Sequence, residues 1–335
     1  MSFRFYLTAV ATLAMAMVQS PLLALAFRGQ QEHLPAELSL TEAIAIYLAR
    51  DRDSLAAPRR PERVGATRAS DKDSTLAETQ LTEKQWNGIQ RVKEAFHEAV
   101  FAQYLIGEAE SERQYFDELL EIAQARADVG AAPESDAAKV RYERARAETS
   151  LAEARLQLRQ GVIRVAGWLG AKDFRRLPEV TGNLNITPLD LDLEELNETA
   201  LRRRASVNTP RERILAEVES AYAACTTHRE RATAIQSTLL PLASDLQAVA
   251  HNLYFEKKDG LLNLFEARRA RREVRQKYFR ALLDYHLSLA VLESTVGKNL
   301  ADAALKGLRD QVGSRLDELR CEKPLGFGAP DGRED

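Results

Sequence analysis

Residues 257–297 read KKDGLLNLFEARRARREVRQKYFRALLDYHLSLAVLESTVG, a run with Gly260 near its start, Gly297 at its end and no Pro or further Gly between them. Apolar or small residues recur at Ala267, Ala270, Val274, Tyr278, Ala281, Tyr285, Ser288 and Leu292, in steps of three and four. That spacing draws one narrow seam along a helix, the pattern of a coiled coil and not of a broad globular face. A second seam precedes it at Ile235, Leu239, Leu242, Leu246, Val249 and Leu253. Two seamed helices joined across residues 256–260 predict a long antiparallel hairpin, with both seams packed inside it.

The pattern occurs twice. Ala127-Asp128-Val129-Gly130 is followed by a helical stretch ending at Gly170, which lies as far beyond Gly130 as Gly297 lies beyond Lys257. Its seam is Val140, Ala147, Leu151, Ala154, Leu158, Val162, Val165 and Leu169. Upstream, Leu38-Ser39-Leu40-Thr41-Glu42-Ala43 answers Leu191-Asp192-Leu193-Glu194-Glu195-Leu196, each a short extended piece entering a short helix. A repeated unit of this size predicts a tandem architecture. The fold class expected is all-α: long antiparallel coiled-coil hairpins in two tandem repeats.

The residues of the last hairpin also carry a resemblance. Tyr254, Gly260-Leu261-Leu262, Phe265-Glu266-Ala267-Arg268, Tyr278, Ala281-Leu282-Leu283-Asp284-Tyr285 and Val296-Gly297 resemble the final helical hairpin of TolC-like outer-membrane efflux proteins, nearest the branch serving cation and drug pumps. The resemblance implies a homotrimeric outer-membrane factor of a tripartite efflux system, working with a periplasmic adaptor and an inner-membrane pump and performing no chemistry. It implies that the hairpin tips, Val129 and Gly130 in the first repeat and Gly260, Leu261 and Leu262 in the second, dock the adaptor. Gly130 and Gly260 serve equally well simply to end and restart helices.

The chain departs from that family in one respect. TolC-like proteins place a helix and two membrane strands between the short and the long helix of each repeat. Here the first gap is an Arg- and Pro-containing stretch, and in the second Pro210 follows Arg204 within a few residues. A membrane strand needs about nine to eleven residues of alternating character, and strands in lipid must close into a barrel. No such segment is found after residue 26, so little or no β-barrel is expected. The alternative reading is therefore a barrel-less periplasmic hairpin protein that binds adaptor or factor tips and conducts nothing.

Taken in order, residues 1–26 form a secretory signal, with Arg4, an apolar core and an Ala24-Leu25-Ala26 cleavage site; an uncleaved anchor is the alternative. The first repeat covers 38–170, with a short helix at 39–50, a linker at 51–81 and a long helix opening at Thr82. Residues 171–190 are irregular, the part played in TolC-like proteins by a belt around the helical barrel. The second repeat covers 191–297, with a kink expected at Pro241. Residues 298–335 are an amphipathic piece and a tail. The location implied is the outer membrane, or the periplasm if the barrel is missing.

Composition and motifs exclude other classes. The chain is 29% charged with a net charge of −3, which suits no polyanion. Arg268, Arg269, Arg271, Arg272 and Arg275 cluster without interleaved aromatics and are read as a solvated face or as inter-protomer ion pairs, not a nucleic-acid site. His33, His97, His228, His251 and His286 are scattered without i, i+4 partners, so no metal is expected. No P-loop, dinucleotide turn or nucleophile elbow is present, and no catalytic residue or cofactor is proposed. A disulfide between Cys225 and Cys321 is open to an exported chain but not demanded.

Overall fold

The computed structural model describes residues 34–56, 81–186, 191–204, 209–256 and 260–300. The expected signal at 1–26, most of the expected linker, the expected tail, Cys321 and His33 lie outside the described residues. The elements are β1 (Glu37–Leu38), α1 (Leu40–Ala56), α2 (Glu83–Asp128), α3 (Glu134–Trp168), β2 (Glu179–Val180), α4 (Leu193–Arg204), α5 (Arg211–Ala234), a π-helical turn (Ile235–Leu239), α6 (Leu240–Phe255) and α7 (Leu261–Val296). Two long helical hairpins, α2–α3 and α5/α6–α7, follow each other in the chain, so the all-α tandem reading holds.

Capping explains where the longest helix begins. The Thr82 side chain accepts the Gln85 backbone N–H while the Gln85 side chain accepts from the Thr82 N–H, a closed capping box. The 46 residues of α2 then extend about 70 Å at 1.5 Å per residue. Gly130, Gly170 and Gly297 follow the ends of α2, α3 and α7 with φ of 69°, 72° and 72°, a left-handed stop that glycine adopts without a Cβ penalty. The first short helix outruns its expected end at Arg50 and continues to Ala56. Nothing before Pro58 breaks it, and Asp51 is held by the Gln85 side-chain amide at 2.9 Å.

α2 packs against α3 on one side and α7 on the other, and α7 in turn against α5 and α6. The long helices thus form a layer in the order α3, α2, α7, α5/α6. Three apolar clusters run along it. A middle one includes Val92, Phe96, Ala99, Val165 and Leu282. One end has Ile214, Val218, Tyr285 and Leu292, and the other Phe116, Leu119, Val140 and Leu264. Each large side chain so buried contributes about 1.5–3 kcal/mol. At the middle, a Cβ on Gly161 of α3 would come within 3.0 Å of the Ala99 Cα, so these helices touch almost backbone to backbone. β1 and β2 pair in parallel, Leu38 opposite Val180, and tie the chain's start to the connector between the repeats.

The second hairpin differs from expectation on one face. Leu239, Leu242, Leu246 and Val249 do not pack inside it; they are 45%, 61%, 53% and 56% exposed. α6 meets its neighbour instead through Ala243, Ala250 and Tyr254. The cause is the π-helical turn. Pro241 lacks an N–H and its ring crowds the preceding carbonyls, and the wider turn ahead of it inserts about one residue. The buried face, set upstream by Ala232 and Ile235, emerges one residue later at Ala243, and the leucine stripe rotates outward. On α7 the buried side is also wider than a seam, taking in Leu264, Phe265, Arg268, Phe279, Leu282 and Leu289.

Candidate functional site: the hairpin tips and the layer edges

Both hairpin turns lie at one end of the molecule, because Leu119, Ala123 and Val140 of the first share a core with Tyr254, Leu261 and Leu264 of the second. The Arg126 guanidinium lies 5.1 Å from the Tyr254 ring centre and 5.8 Å from that of Phe255, a cation–π contact between the two turns. The first tip is closed by Gly130 N–H to Ala127 O at 2.9 Å and Ala131 N–H to Arg126 O at 2.8 Å, which leaves Val129 78% exposed. At the second, Gly260 precedes α7 with φ −88° and ψ 161°, an extended conformation open to any residue.

The five tip residues divide. Val129, Gly130, Gly260 and Leu262 are on the surface, Leu262 at 64% exposure. Leu261 is only 4% exposed and belongs to the core that joins the tips. It holds the hairpins together and is not free to touch a partner. A position one residue away on a helix turns by about 100°, which carries Leu262 off the buried face that Leu261 occupies.

Four of the five clustered arginines pair with carboxylates of the same chain. Arg268 meets Glu112 at 2.9 Å with both side chains buried, and Arg272 reaches the same carboxylate at 3.7 Å. Arg275 meets Glu108 at 2.7 Å and Arg269 meets Glu143 at 3.1 Å. The Arg268 guanidinium also stacks 3.4 Å from the centre of the Tyr115 ring. These pairs are a ladder within one chain that fastens α7 to the first hairpin. Burial pushes the Glu108 carboxyl up, with Arg275 pulling it back down.

Two histidines taken as isolated are brought together, with the His97 and His286 rings 4.6 Å apart. Among the described residues no three His, Cys, Asp or Glu side chains are grouped to hold a metal ion. Cys225 is a buried free thiol, pushed up to about 11 by burial. No helix among the described residues is long and apolar enough to cross a membrane.

Among the described residues, two helix faces of the layer have no partner. Along α6 the exposed stripe is Leu239, Leu242, Leu246 and Val249. Along the outer side of α3, Ala138, Tyr142, Ala145, Thr149, Ala152 and Leu156 recur in steps of three and four and are all exposed. The first stripe was legible as a seam but assigned to the wrong neighbour. The second shows in the sequence only as alanines at seam spacing.

No protein-family model matches the sequence, and no curated protein matches it. Solved structures do share its fold. The Campylobacter jejuni CmeC outer membrane channel superposes with a TM-score of 0.55 at 12% identity, over 68% of this chain and 66% of that one. CusC, described in terms of transmembrane channel formation, gives 0.53 at 13% identity, over 65% and 70%. The open state of the Neisseria gonorrhoeae MtrE outer membrane channel gives 0.52 at 14% identity, over 65% and 68%. The TolC-like resemblance read from the last hairpin holds as a fold: the chain has the tandem helical-hairpin architecture of these outer-membrane channels.

Proposed function

We propose that the chain is a non-enzymatic component of an efflux system, a TolC-like outer-membrane factor whose copies assemble side by side and whose hairpin tips meet a periplasmic adaptor beneath an inner-membrane pump. The single observation that carries this is the pair of unpartnered seams on opposite edges of one helical layer. One edge offers large knobs, Leu239, Leu242, Leu246 and Val249; the other offers mostly small residues, Ala138, Ala145, Thr149 and Ala152, interspersed with Tyr142 and Leu156. Large side chains entering gaps between small ones is the geometry of knobs into holes.

The levels agree. Arg269 of α7 pairs with Glu143 of α3 at 3.1 Å, which sets residue 269 near the height of residue 143, inside the α3 stripe. Counting equally back from the second tip puts Leu246 and Val249 at that height too. Unlike edges associate head to tail, and a head-to-tail contact that closes makes a ring. A homotrimer is the closure the family resemblance supports. Each repeat, residues 38–170 and 191–297, then supplies one edge and one tip. Val129, Gly130, Gly260 and Leu262 are the docking surface.

A second reading rests on a different observation. α4 ends at Arg204 and α5 begins at Arg211, which leaves no room in the second repeat for a pair of membrane strands of about nine to eleven residues each. On this reading the protein is an exported periplasmic hairpin module that binds adaptor or factor tips and conducts nothing by itself. Fractionation separates the two. Release only by detergent from outer membranes supports the first, and release with the soluble periplasm supports the second. Co-purification of the adaptor tests docking in both. Wild type retains the adaptor and Leu262→Glu loses it; retention by Leu262→Glu removes the tips from the docking site.

A further inference from the structure

The contact between α2 and α7 holds a polar node that the tips and edges do not use. Lys93 and His97 are one turn apart on α2, and His286 and Glu293 two turns apart on α7. Lys93 Nζ meets a Glu293 carboxylate oxygen at 2.6 Å, the side chains 6% and 3% exposed. The other Glu293 oxygen accepts the Leu300 backbone N–H at 2.9 Å. Beside this pair the His97 and His286 rings are in contact, flanked by Phe96 and Tyr285. His97 Nδ1 and His286 Nε2 are buried, and neither has a hydrogen-bond partner among the described residues.

The surroundings decide which charge state fits. From α2 the charged group beside both rings is Lys93, and the carboxylate that Lys93 pairs with, Glu293 of α7, has one oxygen on Lys93 and the other on the Leu300 N–H. From the described part of the connector between the repeats, the Asn185 backbone meets His286. Among the described residues an imidazolium here gains no carboxylate of its own and sits against an ammonium and a second imidazole. Burial of such a charge is costly unless it is paired. We propose that the His97–His286 contact is an acid-sensitive joint between the first hairpin and the last helix, closed while both rings are neutral and loosened when acid charges either one.

The direction of the linkage follows. Burial, then His286, then Lys93 hold His97 well below its ordinary 6.5. Burial lowers His286 to about 4, the Asn185 backbone opposing and Lys93 adding to it. A group with a folded value below its unfolded one stabilises the closed state fully above about pH 6.5, and loses that contribution as pH falls toward the folded value. Between pH 7 and pH 5 one such histidine weakens the folded state roughly 25-fold, and two weaken it further.

The test uses the full chain and three readouts. Selective labelling of the imidazoles should show His97 and His286 still neutral at pH 5. Urea unfolding at pH 7 and pH 5 should show a loss in wild type larger by roughly 25-fold or more than in the His97→Leu/His286→Leu double variant. Amide exchange at pH 5, corrected for intrinsic rate, should rise around residues 93–97 and 286–293 while the tip helices stay protected. Titration of all the histidines near 6.5 overturns the proposal, as does an equal pH dependence in the double variant or a uniform loss of protection. If the double variant does not fold, the imidazole titration and exchange of the unaltered chain decide.

Discussion

Replacing Lys93 with methionine keeps most of the side chain's length and apolar stem but removes its charge. Glu293 then stays at 2% exposure with one oxygen bonded to the Leu300 N–H and the other facing the site of the lost ammonium. Removing one member of a buried pair costs about 3–5 kcal/mol, because the remaining charge has lost its compensation. For a domain of this size each kcal/mol moves the melting temperature by about 2–4 °C, so Lys93→Met should melt roughly 6–20 °C lower. Adding Glu293→Leu removes the stranded charge, and the double variant should recover to within about 1–2 kcal/mol of wild type, short mainly by the Leu300 hydrogen bond. The assay is urea unfolding of wild type, both single variants and the double variant at pH 8, where the nearby histidines are neutral. Single-variant losses under about 1 kcal/mol, or a double variant as weak as the sum of the singles, would refute the buried pair.

The other predictions concern packing. Leu261→Glu buries a carboxylate in the core that joins the tips and should cost several kcal/mol, whereas Leu262→Glu, at 64% exposure, should change the urea midpoint little; equal midpoints would show that the helix face is wrongly assigned. Gly161→Leu places a side chain against the Ala99 backbone and should cost about 1–3 kcal/mol or more, read as a lower melting temperature; an unchanged one would mean the two helices are not in close contact.

Much of the architecture was legible because it is written in local signals. Thr82 and Gln85 mark the start of α2, Gly130, Gly170 and Gly297 mark the ends of helices, and the seam of α3 is buried at Val140, Leu151, Val162 and Val165. What was not legible depends on phase and on partners. A 3.6-residue count carried through Ile235–Leu239 slips by one residue at the π-helical turn, so the leucine stripe was given to the hairpin instead of the surface. Hydrophobicity says that a stripe wants a partner and not which partner. Arg268 and Glu112, like His97 and His286, are far apart in sequence, and no spacing rule joins groups on different hairpins. Val129, Gly130, Gly260, Leu261 and Leu262 flank the two turns, but the split between buried Leu261 and exposed Leu262 needed the helix phase at the first residue of α7.

Sedimentation of the purified chain in mild detergent, with and without Leu246→Asp, reads out whether its copies close into a ring through the α6 and α3 edges. Leu246 is 53% exposed in the single chain, so the aspartate should cost that chain no more than about 0.5 kcal/mol. In an assembled ring it would be buried against α3 of the next copy without a partner charge. A trimeric ring gives a wild-type mass of three chains, falling to one chain for Leu246→Asp with unchanged helical circular dichroism. A wild-type chain that sediments as a monomer, or an assembly indifferent to Leu246→Asp, would contradict it.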